Sequence, residues 1–535
     1  MTMTRSSAYI GPRIGRFSSL SVVLCLVLFG LSCGPKTEVK NPSPGVTEVE
    51  PVAEPIPALA YAPELLAAPL KDDPMGVTIH RLSNGLTEYL STDRSTPSMS
   101  SWIAVRAGSR HDPADSTGLA HYLEHMLFKG TSQLGSLNFA KEKPHLDQIA
   151  TLYDDLRSAS SADERTKILA KIDSETQASS EYSVPNEFDN LYASLGIDGV
   201  NAFTSNDQTV YIATVPSNRF DAWAQVEGQR FADPQFRLFY PELESVYEEL
   251  NRSLDSPQSR VYQEMFKALF PKHPYGTQPT IGHPEHLKNP AYGDMAKYFD
   301  DWYRPNNMAI VLAGDIDAER ALPMLEKAFG GLEAKALPAL PPSSTEAPST
   351  RREVEVIAPG ARSLYLAWPT VAAGHSDEMA LRAMDMIVDN SATGLLNLEL
   401  VLSQKLVRAG SFNEGMSEAG AWVATGTARE GQSLEEVESL LMGVIAKLKA
   451  GEFAQSDLDA ILINSEIDDK RRFESNSARV SRMADAFIEG RPWSELVNEQ
   501  ERLRAVKRED IMRVATKYLS DAPVVVKRKA GEFSA

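Results

Sequence analysis

The sequence predicts an α+β fold: two related αβ domains in tandem, with helices packed on mixed or antiparallel sheets. Three observations lead there. Two apolar runs, Val77–Leu82 and Leu86–Leu90, flank Asn84-Gly85, a dipeptide suited to the positive φ angles of a tight hairpin turn. A polar seam rich in proline and serine, at 341–350, divides the chain. On each side of it strands come first, helices follow, and an apolar strand closes the half, at Met308–Ala313 and at Pro523–Lys527.

Taken in order, the chain opens on a segment that reads as an export signal. Arg5, Arg13 and Arg16 precede the apolar run Leu20–Leu31, which is short for a membrane span. Gly30-Leu-Ser-Cys33 is similar to a bacterial lipoprotein cleavage box, with Cys33 as the lipidated residue; ordinary cleavage nearby and a retained anchor are the alternatives. Cys25, the other of the two cysteines, lies inside this signal, so the exported chain would have neither a disulfide nor a thiol nucleophile. Residues 34–72, rich in Pro, Glu, Val and Ala, read as a disordered tether, with folding starting near Val77. A further strand is expected at Ser101–Ala107, and residues 141–198 read as a polar, helical insertion. The domains are therefore 73–340, a linker at 341–350, and 351–535. A net charge of −19 argues against a nucleic-acid partner, which needs a basic footprint.

The most informative stretch is Thr117–Gly130, read as one helix with Asp115, Ser116 or Thr117 as its cap and Gly130 as its stop. At ~100° per residue, His121, Glu124 and His125 share an arc of ~100°, while Leu119, Tyr122, Leu123, Met126 and Leu127 fill most of the rest. Two imidazoles one turn apart can reach one Zn²⁺ at ~2.0–2.1 Å. Glu124 is placed to act as general base on a water molecule that the ion acidifies to a pKa of about 7. Without a cation, a carboxylate on so apolar a helix would cost several kcal/mol unless paired. With 9 histidines in the chain, chance would produce this spacing roughly once in a hundred such sequences.

A third ligand is expected from a second helix, at Pro241–Asn251. Glu242 and Glu249 sit ~20° apart beside its apolar stripe of Leu243, Val246, Tyr247 and Leu250, and Glu248 points to nearly the opposite side. Glu249 is the better metal ligand, and Glu242 a partner that orients a ligand histidine. Between the two helices, Asn201–Thr204 and the strand-like Thr209–Thr214 read as a hairpin with an open edge.

Together these residues resemble the pitrilysin and insulin-degrading enzyme family, which includes the mitochondrial processing peptidase. The resemblance rests on His121–His125 with the later Glu242–Glu249. Asn201-Ala-Phe-Thr204, His273-Pro-Tyr-Gly276, Tyr303-Arg-Pro-Asn-Asn307 and Gly490-Arg-Pro-Trp493 support it. It covers roughly residues 73–530, and the insertion points to an exported bacterial subgroup. It implies a zinc metalloendopeptidase with one Zn²⁺ per chain, acting on peptides or unfolded polypeptides. The backbone of Asn201, Ala202 and Phe203 would bind the substrate as an added strand. Family members carry an Arg-x6-Tyr pair in the far half of a chamber; by pattern Val401 and Arg408 stand at those positions here. Ala380–Asp385 occupies the register of the metal helix in the second half, without ligands. The missing pair, and a sequence that stops soon after Val526, lead to the expectation of one half of a clamshell. A second family-like subunit or a homodimer mate would complete it. The expected location is the periplasm or outer membrane, lipid-anchored at Cys33. The competing reading is a catalytically inactive scaffold or binding subunit, which has no reason to keep all five side chains. A metal-dependent deacetylase or phosphatase would tend to use Asp-rich ligand sets.

Overall fold

The computed structural model describes residues 61–288, 292–346, 348–390 and 393–533. The signal segment, Cys33 and most of the tether lie outside them. Tandem sheets are present, as the patterning implies. The first has seven strands: β1 (Glu64–Ala67), β2 (Thr78–Arg81), β3 (Thr87–Thr92), β4 (Ser98–Val105), β5 (Asp198–Thr204), β6 (Thr209–Pro216) and β7 (Met308–Gly314). Their order is β1-β2-β3-β7-β4-β6-β5. The second has five: β8 (Arg352–Ala358), β9 (Ser363–Thr370), β10 (Arg408–Gly415), β11 (Gly420–Thr427) and β12 (Val524–Ala530), ordered β10-β11-β9-β12-β8.

The two sheets share one plan. In each, the closing strand lies parallel to the first strand of the common core (β7 to β3, β12 to β8) and antiparallel to the next (β4, β9). Read outward, β3-β7-β4-β6-β5 corresponds to β8-β12-β9-β11-β10. The strand β7 is buried at every position, which is why it reads as an unbroken apolar run.

The halves exchange helices. Pro257–Leu269, from the first half, packs Val261, Met265, Phe266 and Leu269 against Val356, Tyr365, Ala367 and Val526 of the second sheet. Asn476–Ile488 returns the favour, setting Val480, Met483 and Phe487 against Ile79, Tyr89 and Val311 of the first. Each sheet thus has its outer face covered by the opposite half, a packing that no local pattern specifies.

Two expectations change. The tether to residue 72 gives way at Glu64–Ala67, where β1 pairs antiparallel with β2. It is an edge strand held by backbone bonds, with Leu65 and Leu66 exposed, so it carries no alternation to read. The insertion is less polar than its sequence suggests: α2 (Phe139–Ser158), α3 (Ala162–Ser180) and α4 (Glu187–Leu195) follow the helix Leu119–Met126. Ile149, Leu152, Tyr153, Phe188 and Tyr192 from this insertion join the main core.

One core residue sets a pH dependence. Glu88, on β3 between Leu86 and Leu90, is fully buried, and neither carboxylate oxygen has a hydrogen-bond partner. Opposite it on β2 is His80. Burial pushes the Glu88 carboxyl up to about 8 from an ordinary 4.5. The folded chain therefore keeps a proton that the unfolded chain releases, and this group's contribution to stability falls as pH rises from about 4.5 to about 8. Glu88→Gln should gain on the parent by up to ~4 kcal/mol between pH 5 and pH 8, read by urea unfolding. A gap that stays constant over that range would mean the carboxyl is already ionised in the fold.

Candidate active site

The helix expected to carry the metal ligands, α1, spans Leu119–Met126, shorter at both ends than expected. Its entrance is not capped by Asp115, Ser116 or Thr117. Asp112 does that work from further upstream, accepting from the amides of Gly118 at 2.7 Å and Ala120 at 2.9 Å. Thr117 instead turns to another segment: its hydroxyl lies 2.8 Å from Nδ1 of His286. Gly118 has φ +89°, and a Cβ there would lie 3.0 Å from the backbone of Gly282, so both conformation and space call for glycine. Beyond the helix, Gly130 turns the chain at φ +91°.

Around this helix Leu119, Ala120, Tyr122, Leu123 and Met126 are buried. The phenol of Tyr122 donates to the carbonyl of Phe239 and pins α1 to the start of the helix Phe239–Leu254. Leu243, Val246 and Leu250 bury the inner face of that helix, which brings Glu242 and Glu249 to α1 and leaves Glu248 exposed. The far end of α1 is held by Arg230, whose Nε donates to the carbonyl of Leu127 at 3.1 Å. Arg230 pairs with Glu227 and lies 4.2, 4.5 and 4.8 Å from the rings of Phe128, Phe188 and Tyr211.

Three candidate ligand atoms meet between the helices. Nε2 of His121 and Nε2 of His125 are 3.3 Å apart, and Oε2 of Glu249 lies 3.5 Å from the first and 3.8 Å from the second. A tetrahedral zinc with bonds of ~2.0–2.1 Å sets its ligand atoms ~3.3–3.5 Å apart, so the triangle fits that ion. Among the described residues this is the one group of His, Cys, Asp or Glu side chains placed to hold a metal.

The outer contacts complete the arrangement. Nδ1 of His125 is 2.8 Å from Oε1 of Glu242, and Lys129 pairs with the other Glu242 oxygen. Burial raises the Glu242 carboxyl, but the bonds to His125 and Lys129 outweigh it and hold the group below its usual range. Burial works against a proton on both imidazoles. At His121, burial and then the neighbouring His125 take the pKa down to about 3, so its ring is neutral. At His125 the Glu242 bond and the charges of Glu124 and Glu249 overcome burial and raise it. Three carboxylates thus face two imidazoles and a single lysine, a charge balance that a divalent cation corrects. Glu124 is 8% exposed and accepts from the Thr204 hydroxyl at 2.6 Å; burial raises its carboxyl while that bond opposes the rise. A base near neutrality needs this kind of shift.

The edge strand β5 pairs only with β6 among the described residues. Asn201 is exposed there, while Ala202 and Thr204 face the α1 side. The Phe203 ring turns to the other face and packs edge-on against Trp102 at 5.6 Å. Phe203 therefore offers a substrate its backbone and not its ring. Asp112, Thr204, Arg230 and Lys129 were not singled out from the sequence as parts of the site. Lys129 alone carried a local signal, one turn after His125.

Glu242→Gln should keep the fold and weaken zinc binding ~10–100-fold, the usual cost of losing such a support, measured by chelator competition. Unchanged affinity would mean that Glu242 does not orient His125.

Two family descriptions match the chain: Insulinase (Peptidase family M16) over residues 89–176, which hold His121–His125, and Peptidase M16 inactive domain over 291–464. Both descriptions are of domains of peptidase family M16. The chain is 24% identical over 428 residues to the zinc protease PqqE of Helicobacter pylori, covering 78% of this chain and 84% of that one. It is 26% identical over 260 residues to a probable mitochondrial-processing peptidase subunit beta of Schizosaccharomyces pombe, covering 48% and 45%. Among solved structures, a protease from Helicobacter pylori superposes with TM-score 0.70 at 22% identity, over 84% of this chain and 98% of that one. The periplasmic protease PqqL from Escherichia coli superposes with TM-score 0.63 at 17% identity, over 87% of this chain but 48% of its own length. The match to inactive-domain sequences runs from before β7 into the second half, where Glu378–Val388 follows β9 as α1 follows β4. There Asp385 accepts from Ser411 on β10, as Glu124 does from Thr204 on β5, but the helix has no histidine. Val401 is half-buried and Arg408 exposed at the positions where the resemblance led to an Arg and a Tyr.

Proposed function

We propose that this chain is a zinc metalloendopeptidase that hydrolyses peptides or unfolded polypeptides. The observation that carries this reading is the triangle of His121 Nε2, His125 Nε2 and Glu249 Oε2, with sides of 3.3, 3.5 and 3.8 Å. One zinc ion held there would polarise a scissile carbonyl and acidify a water molecule. Glu124, fixed by Thr204, takes the water proton and passes it to the leaving amine. Glu242, with Lys129 behind it, orients His125. An extended substrate pairs with the free edge of β5 at Asn201, Ala202 and Phe203.

The working unit in this proposal is a chamber of which the chain forms one half, residues 73–340 carrying the catalytic site and 351–535 the non-catalytic counterpart. A second family-like subunit or a homodimer mate supplies the missing Arg/Tyr pair. In support, PqqL has twice the matched length, and a first half of it was solved separately. The exported location, with a lipid anchor at Cys33, is supported by the periplasmic description of PqqL and by the basic and apolar start of the sequence. Among the described residues no helix is long and apolar enough to cross a membrane. The test combines metal analysis, cleavage of an unstructured peptide and light scattering on the purified chain. The proposal expects one zinc per chain and activity that depends on the dimer or an added partner. A zinc-free chain without hydrolysis would contradict the function, and a fully active monomer would contradict the half-chamber.

A further inference from the structure

Away from the metal site, a cavity of about 440 Å³ opens on the other face of the first sheet, where the exchanged helix Asn476–Ile488 meets β2 and β3. That volume lies in the range of small-molecule sites. Its apolar wall includes Leu66, Leu70, Ile79 and Trp493, of which Leu66 and Leu70 are exposed. The indole N–H of Trp493 is already committed to Asp73 at 2.7 Å, so this ring presents only carbon to the space.

Two guanidinium groups line the same cavity. Arg106 donates through Nε to the carbonyl of Phe487 at 2.7 Å and lies 3.9 Å from the centre of that ring. No carboxylate pairs with it among the described residues, and burial holds its pKa below the usual value. Arg491 is 8% exposed; Nη1 reaches Glu489 at 3.0 Å and Glu378 at 3.3 Å, whereas Nε and Nη2 are buried with no hydrogen-bond partner. A half-buried cation without a counter-charge is costly, more so than an unpaired neutral donor. Arg491 has its counter-charges, Glu495 among them at 3.7 Å from Nε, so the cation left without one beside the cavity is Arg106, and one anion there relieves its cost.

We propose that this cavity binds a small monocarboxylate with an apolar body, its carboxylate held by Arg106 and its hydrocarbon lying against Leu66, Leu70 and Trp493. A single charge suits the place better than a phosphate, because Glu378, Glu489 and Glu495 all lie within 4 Å of Arg491 and would repel a dianion. A bare inorganic anion would leave the exposed leucines uncovered. The site is independent of the metal centre, so it stands or falls apart from the peptidase reading.

The test is calorimetry or saturation-transfer NMR on the purified full chain, with octanoate, octan-1-ol and octylamine as probes. Octanoate should bind with a Kd at or below ~1 mM, and octan-1-ol and octylamine at least ~10-fold more weakly. Arg106→Gln should cost at least ~10-fold in octanoate affinity, with Arg106→Lys recovering part of it. Leu66→Trp, a substitution at an exposed position that fills the mouth, should block binding without touching the cations, and it serves if Arg106→Gln fails to fold. The proposal is overturned by octan-1-ol binding as well as octanoate, by octanoate affinity that survives Arg106→Gln or Leu66→Trp, or by no octanoate binding at ~5 mM.

Discussion

Glu124→Gln is expected to lower kcat for peptide cleavage by ~10²–10⁴-fold while the chain keeps its zinc. The size follows from what the substitution removes. Glutamine has the same shape, and its amide oxygen can still accept from the Thr204 hydroxyl that now sits 2.6 Å from Glu124. It cannot accept a proton from water. Glu124 is not one of the three atoms of the ligand triangle, so metal content should be unchanged. Kinetics on a fluorogenic peptide, with metal analysis on the same sample, checks both halves. Turnover that persists would remove Glu124 from the role of base, and a loss of zinc would make it a ligand.

Glu249→Ala is the second large effect. It takes one corner from the triangle and leaves two imidazole nitrogens 3.3 Å apart with no anionic donor. Zinc affinity should fall by more than the ~10–100-fold expected for Glu242→Gln, since a direct ligand is lost instead of its support. Activity should fall with occupancy and return in part at high zinc. Chelator competition gives the affinity; a value equal to the parent would mean that another residue closes the cage.

The parts of this site that were legible in the sequence are those fixed by one helix at a time. His121, Glu124 and His125 share a face because an α-helix repeats every 3.6 residues, and Glu242 and Glu249 share one because seven residues make nearly two turns. No tertiary knowledge was needed for either. The choice of Glu249 over Glu248 follows from the same geometry; Glu248 is exposed and Glu249 half-buried. The supports were hidden because they come from elsewhere in the chain. Asp112 caps α1 across a loop, Arg230 arrives from a helix about a hundred residues on, and Thr204 is the end of a strand that reads as an ordinary hairpin. The fold divides in the same way. The Asn84-Gly85 hairpin and the closing strands are local patterns. The helix exchange, by contrast, depends on Val261 and Met265 finding one sheet while Val480 and Met483 find the other, and an apolar stripe does not name its partner.

Central to the proposed function is a pair of helices, one with two imidazoles and one with a carboxylate, closing around a divalent cation. X-ray absorption at the zinc edge of the loaded Glu124→Gln chain addresses it directly. Two imidazole nitrogens and one or two oxygens at ~2.0–2.2 Å are expected, with the histidine scattering lost in His121→Ala. A zinc shell without histidine, or one that survives the removal of both His121 and His125, would contradict it.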